Sequence, residues 1–359
     1  MDIEKSAGDG LRFGLVGAGD IGRLRAAALV AGSGHRLIAV TDSDAGRAKE
    51  VAQVAGAATE RDLAGLLARD DVDALIVSTP PALHRDMAIR ALEAGKHVLC
   101  EKPLARDPAE CRAMVDAAET AGLLLATGFN YRFYPSFALA RELLDSGAIG
   151  ELSHIRSYGG YSATSHNQPW VHDGGVVGGG ALHDIGIHLI DLTRDFLGDV
   201  DEVVRFSSGT VWNFPGCEDN GFLLMRSRKG SIATLHASWT EWDRYRFVVE
   251  LVGNRGTIRA SCFPMKLELI SMSEPGARAQ RRTYRFPRYF LGEHLKSYRW
   301  VVVRSFVEEH DAFAAAVRGA PSRIATGTDG LTAIEIAYGH RLVSTEHTGS
   351  AAAISVSGD

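Results

Sequence analysis

Apolar runs alternate with helical stretches along the first third of the chain. Residues 11–17 form a short apolar run that ends in glycine, and residues 20–31 continue in an Ala- and Leu-rich helical pattern. The same α/β alternation continues to residue 128 and predicts a doubly wound parallel sheet of about five or six strands. The further predicted strands are 37–40, 73–78, 97–100 and 123–127, and the further predicted helices are 45–55, 62–67, 84–94 and 108–121.

The pattern changes after residue 128. One helix is predicted over residues 135–146, and the strands that follow it are joined by short turns rich in Gly and Asn. Such strands predict an α+β domain with a large, mostly antiparallel sheet and a helix or two on one face, so we expect two domains. An uncovered sheet face would also favour oligomers. The predicted strands are 154–162, 202–210, 221–226, 231–239, 247–253 and 256–261.

Composition and charge narrow the classes of partner. Among the 359 residues, Lys plus Arg number 39 and Asp plus Glu number 44, so the formal net charge is -5. This balance lacks the basic surplus of a protein that binds nucleic acid or an anionic membrane, so we expect a small-molecule partner. The four cysteines show neither a C-x-x-C pair nor metal-ligand spacing, which favours reduced thiols and no bound metal. The sequence shows no signal peptide and no apolar stretch of membrane-spanning length, so we expect a cytoplasmic location.

A glycine-rich turn follows the first predicted strand. Its sequence matches G-x-G-x-x-G between a strand and a helix, where a dinucleotide pyrophosphate meets a helix N-terminus. The first glycine permits the tight turn, the second lets phosphate approach the backbone, and the third lets the helix pack on the strand. The predicted phosphate-binding residues are Gly17, Gly19, Asp20, Ile21 and Gly22.

Asp42 ends the second predicted strand, 20 residues beyond Gly22. A carboxylate there can accept hydrogen bonds from an adenine-ribose diol and repels a 2′-phosphate, which favours NAD over NADP. Ser43, the next residue, is included in the predicted cofactor-binding set. Two alternatives stay open: Asp42 could cap the helix that begins near Ala45, and Arg47 could bind the 2′-phosphate of NADP.

Thr79, Pro80 and His84 follow the predicted strand 73–78. They lie at the carboxyl edge of the sheet, where ligands collect in open α/β folds, so we expect them to contact the cofactor. The alternative for His84 is a structural role at the start of a helix.

The segment EKP, residues 101–103, follows another strand at the same edge. Lys102 could hydrogen-bond a substrate hydroxyl and stabilise the oxyanion character that develops in a transition state. The alternative for Glu101 and Lys102 is an ion pair on a solvated loop. A cis bond before Pro103 is compatible with this turn.

The densest group of chemical side chains is HDIGIH, residues 183–188, which follows the glycines 178–180. Asp184 and His188 stand four residues apart, and a carboxylate one helical turn away can fix the tautomer of an imidazole and support it as a general base. The alternative is a solvated acidic helix face. The three glycines favour a site, because backbone without side chains lets a ligand approach closely.

Several segments, in this order, resemble the motifs of the glucose-fructose oxidoreductase and inositol 2-dehydrogenase family, called Gfo/Idh/MocA. The segment 135–152 is similar to the family's helix and its entry into the second sheet, so the resemblance covers essentially the whole chain. EKP together with D-x-G-x-H is a specific pair of motifs. The matching segments are GLVGAGDIG (14–22), STPPALH (78–84), EKP (101–103), NYRF (130–133) and GGGALHDIGIHLID (178–191).

The resemblance implies an NAD-binding Rossmann domain, residues 1–128, and a substrate-binding α+β domain, residues 129–359. It also implies homodimers or homotetramers that form on the open-faced sheet of the second domain. The implied catalytic residues, which also bind substrate, are Lys102, Asp184 and His188.

The resemblance extends the predicted site to the NYRF motif and to a segment that varies within the family. Glu101 and Asn130 are implied as cofactor contacts, and Tyr131, Arg132 and Trp170 as substrate contacts. The variable segment indicates a polar, hydroxylated substrate; its residues are His166, Asn167, Trp170, His172 and Asp173.

The sequence therefore predicts an NAD-dependent oxidoreductase that reversibly oxidises a secondary hydroxyl of a sugar, aminosugar or cyclitol. In this interpretation His188 takes the hydroxyl proton, Lys102 holds and polarises the oxygen, and Asp184 orients the imidazole. One alternative is an NAD-dependent glycosidase that acts by transient oxidation, and another is a non-catalytic sensor of dinucleotide and sugar. Lys102 in its EKP context favours the dehydrogenase, and the intact trio argues against the sensor.

Overall fold

The computed structural model describes residues 10–32, 34–165 and 168–339. Its first sheet has six strands in the order β3-β2-β1-β4-β5-β6, and every neighbouring pair is parallel. The predicted doubly wound sheet is confirmed. Its strands are β1 (Arg12–Val16), β2 (Arg36–Thr41), β3 (Ala58–Thr59), β4 (Ala74–Val77), β5 (His97–Cys100) and β6 (Leu125–Thr127).

Helices connect the strands of this sheet and cover it. The central strand β4 is buried along its whole length, as expected for a parallel sheet packed between helices. Three of these helices begin at aspartate caps whose carboxylates accept backbone N–H bonds: Asp44 before α2, Asp62 before α3 and Asp107 before α5. They are α1 (Asp20–Val30), α2 (Ala45–Ala55), α3 (Leu63–Leu67), α4 (His84–Glu93) and α5 (Pro108–Ala121).

The second sheet has eight strands within the described chain, in the order β14-β13-β12-β11-β7-β10-β9-β8. β7 and β10 are parallel, and the other neighbouring pairs are antiparallel, which confirms the mostly antiparallel prediction. Strands β13 and β14 were not predicted from the sequence, and β14 (QRRTYR) has too few apolar residues to be recognised. The strands are β7 (Leu152–Gly160), β8 (Val200–Ser208), β9 (Asn220–Ser227), β10 (Ile232–Ser238), β11 (Arg246–Gly253), β12 (Gly256–Ser261), β13 (Lys266–Ser271) and β14 (Gln280–Arg285).

Three helices accompany the second sheet. α6 (Pro135–Asp145) packs against β12 and β13, and α8 (Ile185–Leu197) packs against β7 and β10. The short α7 (Gly174–Val177) precedes α8. Because α6 and α8 cover one face of the sheet, the hydrophobic core of this half lies between them and the strands.

The last described helices return to the first sheet. They are α9 (Pro287–Lys296), α10 (Tyr298–Val317) and α11 (Gly327–Ala337). α10 packs against α1, and Phe313 of α10 lies in one apolar cluster with Phe13 of β1. The Thr127 amide donates to the Ala325 carbonyl at 2.8 Å. The segment predicted as a single second domain, 129–359, therefore contributes its C-terminal helices to the packing of the first.

The face of the second sheet opposite α8 stays apolar and exposed over β8 to β10. Val204 pairs with Leu224 and Phe206 with Phe222 across β8 and β9, and Phe206 is 71% exposed. We call these four side chains and Ile232, which is also exposed, the apolar patch. A row of paired residues crosses the sheet from Leu224 to the other edge, one residue on each strand, and it is polar beyond Leu224. These residues are Thr234, Arg156, Glu250, Arg259, Glu268 and Thr283. Among the helices of the described ranges, none has the length and hydropathy to cross a bilayer.

Candidate active site

The glycine-rich turn between β1 and α1 leaves room for a ligand. Gly17 has a φ of 93°, and a Cβ there would lie 2.5 Å from the carbonyl oxygen of Ser78. A Cβ on Gly22 would lie 2.0 Å from the carbonyl oxygen of Gly17, so both positions require glycine. A Cβ on Gly19 would meet nothing within 4 Å of it, and no side chain of the described residues caps α1. The turn therefore fits a dinucleotide pyrophosphate, which would bind the amides of the first helical turn.

The other residues predicted around this turn lie beside it. Asp20 and Ile21 begin α1, and the Ile21 side chain is 41% exposed. Thr79 and Pro80 follow β4, and the Thr79 amide nitrogen would lie 3.0 Å from a Cβ on Gly17. Cofactor binding by these four residues stays a prediction, with a position that suits it.

Asp42 is fixed just beyond β2 by the turn itself. Its Oδ2 accepts from the Ala18 amide at 2.6 Å, and its Oδ1 accepts from the Asp44 amide at 2.8 Å. Asp44, not Asp42, caps α2, so the alternative that assigned the cap to Asp42 is wrong. Asp44 also pairs with Arg47 at 3.3 Å, and the exposed Ser43 hydroxyl lies 3.4 Å from Asp42 Oδ1.

His84 is buried and has a structural role. Its Nε2 lies 2.8 Å from the Thr79 carbonyl oxygen, and its Nδ1 lies 3.0 Å from the Pro103 carbonyl oxygen. Burial lowers the pKa of His84 below 6.5. Both ring nitrogens contact backbone carbonyls, so the structure does not support the predicted cofactor contact of His84. The ring instead joins the loop after β4 to the loop after β5.

Lys102 and Asp184 meet between the two sheets. The Lys102 ammonium donates to Asp184 Oδ1 at 3.1 Å, and the bond between Lys102 and Pro103 is cis. Asp184 Oδ2 accepts from the Trp239 indole at 3.0 Å and from the Tyr161 hydroxyl. Asp184 therefore fixes the position of the lysine ammonium.

His188 lies on α8 and is held by aromatic rings. Its imidazole stacks on the Tyr131 ring at a centroid distance of 4.1 Å and meets the edge of Phe129. Burial, with a smaller effect of the Lys102 charge, lowers the pKa of His188 well below 6.5, so the imidazole is neutral at neutral pH. Its Nδ1 is buried and has no hydrogen-bond partner among the residues that the structure describes.

The structure does not support the predicted orientation of the His188 imidazole by Asp184. Residues four apart face each other only within a helix, but α8 begins at Ile185 and Asp184 precedes it with φ -96° and ψ -86°. The Asp184 carboxylate points to Lys102, and Tyr131 takes the role of orienting the ring.

Arg132 is another predicted contact that the structure corrects. Its guanidinium makes a two-pronged ion pair with Asp191 of α8 at 2.6 and 2.9 Å, and both side chains are buried. Burial raises the pKa of Asp191 to about 6 against the opposing effect of Arg132. α8 is therefore a buried helix, so the alternative of a solvated acidic face is wrong and Arg132 is committed to structure.

Glu101 and Asn130 also point into the protein. Glu101 Oε1 accepts from Arg25 Nε at 2.7 Å, and the Asn130 amide donates to the Ser305 hydroxyl of α10 at 2.9 Å. Their predicted cofactor contacts are therefore not supported, because both side chains are buried and bonded elsewhere. The alternative of a solvated Glu101–Lys102 pair is also wrong.

Arg25 lies near the site and was not predicted from the sequence. It is fully buried on α1, pairs with Glu101 and with Glu309 of α10, and lies over the Phe306 ring at 3.7 Å. Glu101 Oε2 in turn accepts from the Lys102 amide at 3.3 Å. Burial raises the pKa of Glu309 to about 7, although Arg25 opposes this shift. The backbone of Lys102 is thus tied to α1 and α10.

Aromatic residues beside the second sheet complete the wall of the site, and two of them, Tyr161 and Tyr245, were not predicted from the sequence. The hydroxyls of Tyr131 and Tyr245 lie 2.5 Å apart, and Tyr245 stacks with Tyr161. Trp170 donates to Gln168 at 2.5 Å, and Gln168 reaches Asp20 at 3.4 Å, so this segment spans the two halves of the chain. His166 and Asn167 of the predicted variable segment lie outside the described residues.

Two family models match the chain. A model described as an oxidoreductase family with an NAD-binding Rossmann fold matches residues 11–129. A model described as the GFO/IDH/MocA C-terminal domain matches residues 137–259. Together the two models cover more than half of the sequence.

Curated relatives and solved structures agree with these matches. The chain is 29% identical to a levoglucosan dehydrogenase of Pseudarthrobacter phenanthrenivorans over 72% of its length and 74% of the relative. It is 28% identical to an inositol 2-dehydrogenase of Rhizobium meliloti over 91% of its length and 94% of the relative. A levoglucosan dehydrogenase structure in complex with NADH and levoglucosan superposes with a TM-score of 0.80 at 27% identity, covering 92% of this chain and 95% of the other.

Proposed function

Because the chain belongs to the GFO/IDH/MocA family of NAD-binding oxidoreductases, we propose that it reversibly oxidises a secondary hydroxyl of a sugar, aminosugar or cyclitol. The observation that carries this proposal is the Lys102 ammonium, held 3.1 Å from Asp184 beside the neutral imidazole of His188. Alcohol oxidation requires a group that accepts a proton and a group that stabilises negative charge on oxygen. The His188 imidazole can accept the proton, and the Lys102 ammonium can stabilise the negative charge.

NAD, when bound, accepts the hydride that leaves the substrate carbon. We assign its binding to the glycine-rich turn, with Gly17, Gly19 and Gly22, and to Asp42 for the ribose hydroxyls. Ser43, Thr79, Pro80, Asp20 and Ile21 belong to the same proposed set. The Asp42 carboxylate favours NAD over NADP, because it would repel a 2′-phosphate, and Arg47 is already paired with Asp44.

His188 acts as the general base in this mechanism. A neutral imidazole can take the hydroxyl proton directly, and its low pKa keeps it neutral before the substrate binds. The stacked Tyr131 ring restricts the plane of the imidazole. After reaction, the imidazolium can return the proton in the opposite direction or release it to solvent.

Lys102 holds the oxygen of the substrate. Its ammonium is only partly exposed, so a hydrogen bond from it to a developing oxyanion is stronger than one in open water. Asp184, bonded also to Trp239, positions the ammonium and is not the partner of the imidazole in this scheme. Tyr131 and Trp170 remain proposed substrate contacts.

The relatives support the substrate class. The levoglucosan dehydrogenase and the inositol 2-dehydrogenase are named for ring compounds with several secondary hydroxyls. The test is a panel of inositols, hexoses and aminosugars with NAD, followed by NADH absorbance at 340 nm. Net NADH with one of these classes supports the proposal. No turnover of any polyol or of its keto form, or cleavage of glycosides without net NADH, contradicts it.

We also propose that the apolar patch is the contact between copies in a homodimer or homotetramer. Exposed, contiguous apolar side chains on a sheet face favour association, because burying them removes apolar surface from water. The row becomes charged beyond β10, so the patch is confined to β8, β9 and the adjacent part of β10.

A further inference from the structure

Aromatic side chains continue from the proposed active site to the surface. Trp239 donates to Asp184 at 3.0 Å and is fully buried. The carbonyl oxygen of Trp239 accepts from the indole of Trp212 at 3.0 Å. Trp212 is therefore fixed to the wall of the site, one residue removed from the carboxylate that holds Lys102.

Trp212 is the outer member of a stack of parallel rings. His172 lies on Phe214 at 4.2 Å with 10° between the planes, and Phe214 lies beside Trp212 at 5.9 Å with 3° between them. Trp242 follows at 5.6 Å and is 66% exposed. Its plane is tilted by 50° to that of Trp212, so the series runs from the buried Trp239 through a parallel stack to an exposed, tilted indole.

The position of these rings separates them from the apolar patch. Trp212 lies in the connection between β8 and β9, and Trp242 lies in the connection between β10 and β11. The same β10–β11 connection leads directly to Tyr245, which contacts Tyr131 in the site. The two tryptophans therefore lie in the connections beside Trp239 and Tyr245 of the proposed site, whereas the patch lies on strands β8 to β10 themselves. We call Trp212 and Trp242 the aromatic rim.

We propose that Trp212 and Trp242 form a second sugar-binding subsite, so that the substrate is a glycoside whose second pyranose ring lies on this rim. The C–H face of a pyranose is apolar and packs on an aromatic ring, while its hydroxyls require polar partners at the edge. Asp243 and Arg244 follow Trp242 and form an exposed ion pair at 3.5 Å, which can supply those partners. This inference rests on the proposed function for the ring that is oxidised.

The test compares one sugar with its own glycosides. The hexose that wild-type protein oxidises best is assayed beside disaccharides that carry this hexose at the non-reducing end. We expect wild-type kcat/KM to be higher for a disaccharide than for the hexose. Trp242→Ala should lower the disaccharide kcat/KM by about fivefold to tenfold, mainly through KM, with the hexose value within about twofold. Trp242→Tyr should restore most of the loss, and Tyr298→Ala, an exposed aromatic on α10, should change neither value.

Binding measured without turnover separates this inference from the proposed function. Disaccharide affinity is measured calorimetrically on the NADH-bound protein and on Trp242→Ala. Binding that depends on Trp242 supports the subsite even if no sugar is oxidised. Oxidation of the hexose with equal effects of Trp242→Ala on both sugars overturns the subsite and leaves the proposed function standing. A change in oligomeric state without a change in the disaccharide preference also overturns it.

Discussion

Asp184 holds the ammonium of Lys102 at 3.1 Å, although the two residues come from different halves of the chain. The other Asp184 oxygen accepts a hydrogen bond from Trp239, which fixes the carboxylate independently of the lysine. The charges in the site are therefore divided as follows: the Asp184 carboxylate balances the Lys102 ammonium, and the His188 imidazole is neutral. The predictions on catalysis follow from this division.

Lys102→Met should reduce turnover and leave NADH binding largely intact. Removing one donor to a developing oxyanion typically lowers kcat by about 10² to 10³. Asp184→Asn keeps the shape of the side chain and loosens the ammonium, so its loss of kcat should be smaller. Steady-state kinetics and NADH fluorescence titration measure the two effects. Full activity in both variants would remove Lys102 and Asp184 from the mechanism.

His188→Ala should lower kcat of oxidation by about 10² to 10⁴, the usual contribution of a general base. In the wild type, the base must be neutral, and the pKa of His188 lies well below 6.5, so oxidation should stay on its plateau through neutral pH. The rate should fall only well below pH 6.5, the ordinary histidine pKa. This acid limb of the pH profile should vanish in His188→Ala. A limb centred above pH 7 that survives the substitution would contradict the assignment.

Asp42→Ala should narrow the preference for NAD over NADP by about 1 to 3 kcal/mol, the value of a hydrogen bond to a charged group. Asp42 also accepts from the Ala18 amide, so Asp42→Asn is the matched control that retains an acceptor without the negative charge. Calorimetric affinities for NADH and NADPH decide the question. If wild-type protein binds NADPH more tightly, Asp42 does not select the cofactor and the Arg47 alternative returns.

Glu309→Gln should become more stable relative to wild type as the pH rises. The folded-state pKa of Glu309, about 7, exceeds the ordinary value of 4.5, so the folded protein binds more protons than the unfolded chain between these values. The free energy of unfolding of the wild type therefore falls as the pH rises from about 4.5 to 7, because Glu309 must then release its proton in the folded state. The glutamine side chain carries no such proton. Urea unfolding of both proteins at several pH values measures the difference. A pH-independent difference would place the pKa of Glu309 near its ordinary value.

Phe222→Asp in the apolar patch should shift the protein towards monomers. A carboxylate at the centre of a buried apolar contact must be desolvated, and its desolvation free energy exceeds the free energy gained by burying the apolar surface. Thr283→Asp, on the same sheet face at the charged edge, is the matched control and should leave the assembly unchanged. Light scattering coupled to size-exclusion chromatography measures both. An unchanged mass for Phe222→Asp would exclude the patch as the contact.

The elements and the glycine-rich turn could be predicted from the sequence because their causes are local. A strand buried on both sides needs an apolar run, as in β4 and β5, and a turn with a positive φ needs glycine, as at Gly17. The residues that surround Lys102 in space could not be predicted in the same way. Glu309 is 284 positions from Arg25, and no periodicity relates them.

The sequence by itself determined the two-sheet architecture, the dinucleotide-binding turn and the identity of the chemical side chains near the proposed site. Only the tertiary structure decided how those side chains are used. His84 contacts the Thr79 carbonyl, Arg132 pairs with Asp191, and Asp184 holds Lys102. The reason is that a buried polar group must find a partner, and the partner is chosen by which elements the fold brings together. Spacing along the chain predicts neighbours only within a helix or strand, and Asp184 lies one residue before the helix that would have turned it towards His188.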